Sequence, residues 1–140
     1  MVPDPCSRRT FIRTTAALGV GAMSLGAPRW APALSDTRLR VLSIGVIGTI
    51  GGADRKRVHE HPRADIVGLC DVDAEALAKA SADHPDAFTC ADYREAFDAH
   101  GDRFDAVIVA TPDHSHCSIM TLALDRGKHV YGQKPLVQQL

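Results

Sequence analysis

From residue 37 onward, short apolar runs alternate with longer amphipathic stretches. The run Leu39-Arg40-Val41-Leu42-Ser43-Ile44-Gly45-Val46-Ile47 is rich in β-branched residues and ends in glycines, which predicts a central strand. Residues 53–59 suit a short helix stopped by Pro62, and Asp65-Ile66-Val67-Gly68-Leu69-Cys70 reads as a second buried strand closing on Asp71. Asp73 stands where an N-cap is wanted for a helix over 74–80. A weak third strand is expected at 87–89, and Asp92-Tyr93-Arg94-Glu95 has capping-box spacing before Ala96 and Phe97. Asp105-Ala106-Val107-Ile108-Val109-Ala110 carries the clearest strand signal. A helix is predicted over 116–126, with Ile119, Leu122 and Ala123 on one face and Gly127 past its end, and His129-Val130-Tyr131 predicts a last strand. Strand and helix thus alternate about five times, which is the pattern of a parallel sheet with helices on both faces. A further helix is expected to start at the end of the chain.

The first 33 residues break this pattern. Cys6-Ser7-Arg8-Arg9-Thr10-Phe11-Ile12-Arg13 is followed by an Ala- and Gly-rich apolar run over 16–27 and then by Ala31-Pro32-Ala33. That order of basic region, short apolar region and small-x-small site is the layout of a secretory signal, and its Ser-Arg-Arg-x-Phe-Ile-Arg string resembles the twin-arginine export signal of bacteria. The expected organisation is a signal peptide over 1–33 and one α/β domain over 34–140, exported to the periplasm by the twin-arginine machinery. Without the signal, 12 Lys and Arg face 16 Asp and Glu, a charge of −4. The formal charge of −1 over the whole chain excludes a strongly basic nucleic-acid binder. The remaining cysteines, Cys70, Cys90 and Cys117, match neither a zinc ribbon nor a Cys-x-x-Cys pair, so buried free thiols are expected.

Ligands of open parallel sheets sit at the carboxyl ends of the strands, so chemistry is sought there. The first strand runs into Gly48-Thr49-Ile50-Gly51, a glycine-rich turn whose backbone N–H groups and following helix N-terminus suit a pyrophosphate. Counted from Gly48, the dinucleotide fingerprint would want glycine where Ile50 and Ala53 stand, so either Gly51 takes over the close approach or the pyrophosphate is held less tightly. Asp71 closes the second strand near the offset at which a carboxylate accepts the ribose hydroxyls of NAD, and it would repel the 2′-phosphate of NADP. Asp113-His114-x-His116 offers two imidazoles but no third ligand, so no metal is assigned. The basic run Arg55-Lys56-Arg57 fits a solvated helix face, and Tyr93 with Phe97 fits a packing pair.

The last two strand ends are the most specific. Ala110-Thr111-Pro112-Asp113-His114-Ser115-His116, followed by Gly127-Lys128-His129-Val130-Tyr131-Gly132-Gln133-Lys134-Pro135-Leu136, resembles the N-terminal domain of the Gfo/Idh/MocA oxidoreductases, the glucose–fructose oxidoreductase and inositol dehydrogenase family. The resemblance runs from about Val41 to the end of the chain. It implies a Rossmann-like, doubly wound α/β fold, incomplete at its C-terminal end and without the family's second α+β domain. It implies NAD as cofactor, with NADP less favoured, and hydride transfer to or from a sugar, inositol or related polyol that only the missing domain would help to bind. By matched positions, Lys134 would sit beside the nicotinamide and share in proton transfer, Pro135 would shape the turn, Thr111 and Pro112 would line the cofactor, and His116 would lie near the nicotinamide end. The family usually has Glu-Lys-Pro; here Gln133 replaces the Glu. A homo-oligomer is possible for the full-length form. Two other readings stay open, a non-catalytic dinucleotide-binding or partner-binding remnant and an S-adenosylmethionine methyltransferase, although the Gln-Lys-Pro turn argues against the second.

Overall fold

A computed structural model describes residues 37–137. The export signal, its expected cut after Ala33 and the start of a further helix at the chain's end lie outside the described residues. Five strands are present among the described residues: β1 (Leu39–Ile44), β2 (Ala64–Cys70), β3 (Phe88–Cys90), β4 (Ala106–Val109) and β5 (His129–Gly132). They form one parallel sheet in the order β3-β2-β1-β4-β5. Parallel neighbours need crossovers, and these are α1 (Gly48–His59), α2 (Ala74–Asp83), α3 (Tyr93–His100) and α4 (Asp113–Asp125), with a 3₁₀ turn at Gly101–Arg103. The order runs outward one way from β1 through β2 to β3, and the other way through β4 to β5. The reversal leaves a crevice between β1 and β4, where ligands of such sheets bind.

Both faces of the sheet are packed. Leu42, Ile44, Val107 and Val109 meet Ala96 and Phe97 of α3 and Ile119 and Ala123 of α4, while Val41, Ile66, Leu69 and Ile108 meet Ala80 of α2, with Val58 of α1 alongside. All four residues of β4 are buried, the reading expected for a strand covered on both sides. Removing a side chain such as Leu42 or Val109 from water contributes roughly 1.5–3 kcal/mol each, which is what holds these short strands in register.

Local signals account for most boundaries. The Asp73 carboxylate accepts from Glu75 N and Ala76 N, and that of Asp92 accepts from Arg94 N, so α2 and α3 start where their caps stand. Two helices begin earlier than the sequence pattern predicts. α1 starts at Gly48 rather than near Ala53, because Gly45 and Gly48 adopt φ of 85° and 86° and complete the turn out of β1 within three residues. The glycine-rich segment therefore forms the first turn of the helix instead of an extended loop. α4 starts at Asp113 rather than His116, since Pro112 already has the φ a helix start wants and the Ser115 hydroxyl donates to Thr111 Oγ1 and lies 2.8 Å from the Pro112 carbonyl.

Ser43 is fully buried in the middle of β1, and its hydroxyl has no partner among the described residues. An unpaired buried hydroxyl costs free energy that a methyl group does not. Ser43→Ala is therefore expected to stabilise the domain by about 1 kcal/mol in denaturant unfolding, with the slope unchanged. A loss of stability would mean that the hydroxyl is satisfied in solution.

Candidate functional site

The crevice at the β1/β4 reversal opens into a cleft of about 650 Å³. Its floor is Gly45, Ala110 and Thr111, and its sides are Ile47, Asp71, Val72, Tyr93, Pro112 and His114. Gly45 is required here by contact as well as by φ. A Cβ on it would stand 2.6 Å from the Ala110 carbonyl carbon and 2.8 Å from Thr111 N, so the β1 and β4 ends approach as closely as backbone allows. Gly51 plays the same part for α1: a Cβ there would lie 2.5 Å from the Gly45 carbonyl oxygen. Gly51 thus has the helix–strand packing role of such a glycine. Ile50 points away and is 53% exposed, and Gly48 and Thr49 are also exposed at the mouth of the turn.

Asp71 is at the centre of the first turn. Its Oδ2 accepts from Val46 N at 2.7 Å and Ile47 N at 3.3 Å, and its Oδ1 accepts from Asp73 N at 3.0 Å. An ionised carboxylate offers about four acceptor positions, so these three bonds leave one direction for a ligand hydroxyl. The carboxylate thus holds the glycine-rich turn against the end of β2 before any ligand arrives. Arg55 is likewise engaged, donating to the Val46 carbonyl at 3.1 Å and lying 3.9 Å from Asp83, whereas Lys56 and Arg57 are exposed.

The β4 and β5 ends are tied to each other. His116 is only 1% exposed, with Nε2 2.7 Å from the Thr111 carbonyl and Nδ1 2.7 Å from the Pro135 carbonyl. His116, expected near the nicotinamide end, is thus a strut between two loops, and His114, two residues earlier, lines the cleft. A neutral imidazole has one N–H and can donate to one of those carbonyls; both are satisfied only when both ring nitrogens carry protons. The Lys134–Pro135 peptide bond is cis. Gln133 does not face Lys134: its side-chain amide donates to the carboxylate of Asp54, a buried residue on α1. Lys134 and Pro135 are exposed. Thr111 and Pro112 both line the cleft.

Sequence reasoning missed Val72, Tyr93 and His114 as cleft residues and Asp54 as the anchor of Gln133. Position is the signal that could have found Val72 and Tyr93, since each lies within three residues of a strand's carboxyl end. The thiols are free among the described residues, but Cys117 is exposed on α4 rather than buried, because the buried face of that helix is set by His116, Ile119 and Ala123.

This geometry has counterparts among known proteins. The model of the oxidoreductase family with the NAD-binding Rossmann fold, Gfo/Idh/MocA, matches residues 39–140. The chain belongs to that family. It therefore carries the NAD-binding domain of the Gfo/Idh/MocA oxidoreductases. A curated relative, a glycosyl hydrolase family 109 protein of Saccharopolyspora erythraea, is 31% identical over 150 residues covering 91% of this chain and 33% of its own length. GenD2 from gentamicin A biosynthesis, solved in complex with NAD, is 30% identical with a TM-score of 0.66, over 72% of this chain and 28% of that one. The WlbA dehydrogenase of Bordetella pertussis, solved with NADH and UDP-GlcNAcA, is 27% identical with a TM-score of 0.64, over 73% and 31%. The chain thus spans about a third of the length of the proteins it matches.

Proposed function

We propose that this domain holds NAD across the β1/β4 crevice and serves hydride transfer between the nicotinamide and a carbon of a sugar, inositol or related polyol. The observation that carries the reading is the meeting, at one sheet edge, of the glycine-rich turn tethered by Asp71 with the Gln-Lys-Pro turn tethered by His116. When bound, NAD supplies the hydride chemistry. The chain's own residues bind and orient it: the N-terminus of α1 faces the pyrophosphate, the remaining acceptor of Asp71 takes a ribose hydroxyl, and Thr111 and Pro112 flank the nicotinamide half. Lys134, exposed beside that turn, moves the proton of the substrate hydroxyl as its carbon loses or gains hydride. The UDP-GlcNAcA in the WlbA complex supports a sugar ring as the class.

The test is a calorimetric titration with NAD, NADP and S-adenosylmethionine, followed by assay against inositols, free pyranoses and glycosides. NAD is expected to bind tightest. Binding of S-adenosylmethionine alone would overturn the reading. The glycosyl hydrolase relative favours a second substrate class, a glycoside from which sugar is released. Net NADH from a free polyol selects the first class, and free sugar without NADH selects the second.

The twin-arginine string supports export of the folded, cofactor-loaded domain to the periplasm as part of the same proposal. Replacing Arg8 and Arg9 together with Lys is expected to leave the protein in the cytoplasm with its N-terminus uncut. Unchanged export of that variant would remove the twin-arginine route, and N-terminal sequencing of the exported form would test the cut after Ala33.

A further inference from the structure

Apart from the groups assigned to the cofactor, the wall of the cleft contains one thiol, Cys70, with a second, Cys90, on the neighbouring strand. β2 and β3 are parallel neighbours, and their register pairs Cys70 with Cys90. Paired residues on adjacent strands put their side chains on the same face with Cα atoms about 4.8 Å apart, inside the roughly 4.4–6.8 Å that a disulfide spans. Both side chains belong to the core on the α3 and α4 face, where Cys70 is buried and Cys90 is half-buried. Cys70 also lines the cleft, immediately before Asp71, and the Asp71 N–H donates to the Cys90 carbonyl.

Cys90 Sγ donates to the Leu69 carbonyl at 3.8 Å, and the closeness of the two thiols divides their acidity. The neighbouring Cys70 thiol holds the Cys90 thiol below its ordinary value, while Cys90 and then burial push Cys70 up. The more acidic thiol is therefore also the more accessible one, the arrangement that attacking cysteines need.

We propose that Cys70 and Cys90 are a reversible dithiol–disulfide site across β2 and β3, beside the cleft that Cys70 lines. The oxidant is a low-molecular-weight disulfide. The Cys90 thiolate attacks one of its sulfurs, the S–S bond breaks and one small thiolate leaves. Cys70 then gives its proton to solvent and attacks the Cys90 sulfur of the mixed disulfide, expelling the second small thiolate. Two protein thiols are oxidised to one disulfide, and one small disulfide is reduced to two thiols. The step needs neither the cofactor nor a substrate, so it stands or falls separately from the proposed function.

The test equilibrates the folded, reduced full chain in buffers of rising oxidised-to-reduced glutathione ratio. Free thiols are then blocked under denaturing conditions and the chain is cut with trypsin. Cleavage after Arg63, Lys79 and Arg94 puts Cys70 on peptide 64–79 and Cys90 on peptide 80–94, so a link between them is visible by mass. The expected result is a linked 64–79/80–94 pair that grows with the oxidised share, with loss of two of the chain's four alkylatable thiols, reversed by dithiothreitol. Cys117→Ser should leave that link unchanged, and Cys90→Ser should leave Cys70 fully alkylatable. The proposal is overturned if Cys70 and Cys90 stay alkylatable while Cys117 takes up glutathione, if Cys90 stops at a stable mixed disulfide, or if either cysteine links only elsewhere.

Discussion

Replacing Asp71 with asparagine is expected to bring the affinities for NAD and NADP together, shrinking their ratio by roughly ten- to a hundredfold. The carboxylate at the end of β2 has one acceptor direction left after its three backbone bonds, which suits a ribose hydroxyl. A 2′-phosphate in the same place meets a like charge. Two unit charges about 4 Å apart repel by about 4 kcal/mol even at an effective dielectric near 20, and solvent at the cleft mouth reduces that to one or two powers of ten in affinity. Asparagine removes the charge but keeps an oxygen that can still accept from Val46 N. Alanine removes the tether as well. Asp71→Ala is therefore expected to lose about 2 kcal/mol of stability and to weaken both cofactors, a pattern that separates the electrostatic role from the structural one. Arg55 does not offset the repulsion, because its guanidinium is committed to the Val46 carbonyl and lies beside Asp83. Calorimetric titration of the three proteins with both cofactors is the measurement. Equal affinities in the unmutated protein would contradict the assignment of Asp71 to the ribose.

What the sequence made legible follows from the range of the interactions involved. The strands could be read because burial on both faces of β1, β2 and β4 demands unbroken apolar runs, and the starts of α2 and α3 because Asp73 and Asp92 act on amides two or three residues away. Gly127 could be read as the stop of α4 on the same local grounds, and it has the positive φ that a stop of this kind needs. The start of α1 was misjudged because glycines suggest a loop, whereas here two of them make the turn so tight that the rest become helix. The roles at the site were harder to read. His116 and His114 differ by two residues on one helix, and only the packing of α4 on the sheet decides that the first is buried against Thr111 and Pro135 while the second faces the cleft. The partner of Gln133 is 79 residues away on α1, a distance across which no local pattern carries information.

That long-range pair sets up the last prediction. Gln133→Glu, the residue usual in the family, is expected to destabilise this protein by about 2–4 kcal/mol at pH 7.5 and to cost little near pH 4.5. In the native chain the amide of Gln133 donates to the carboxylate of Asp54, which is 8% exposed. A glutamate there would set two carboxylates against each other in a half-dry site, and the contact could survive only with one proton shared between them. The pair's proton would then be held in the folded state to a higher pH than in the unfolded chain. The folded state binds the extra proton between the ordinary carboxylate value near 4 and the raised value, so the variant's stability falls as pH rises through that window. Denaturant unfolding of parent and variant at both pH values tests this, and Asp54→Asn in the variant should restore most of the loss. A deficit independent of pH, or one that Asp54→Asn leaves in place, would mean that the two side chains do not meet in solution. The result bears on function because Lys134 has no burial of its own to hold it. Its backbone is fixed on one side by Gln133 on Asp54 and on the other by the Pro135 carbonyl on His116, so in a chain with Asp at position 54, glutamine at position 133 is the choice that keeps the lysine's turn anchored at neutral pH.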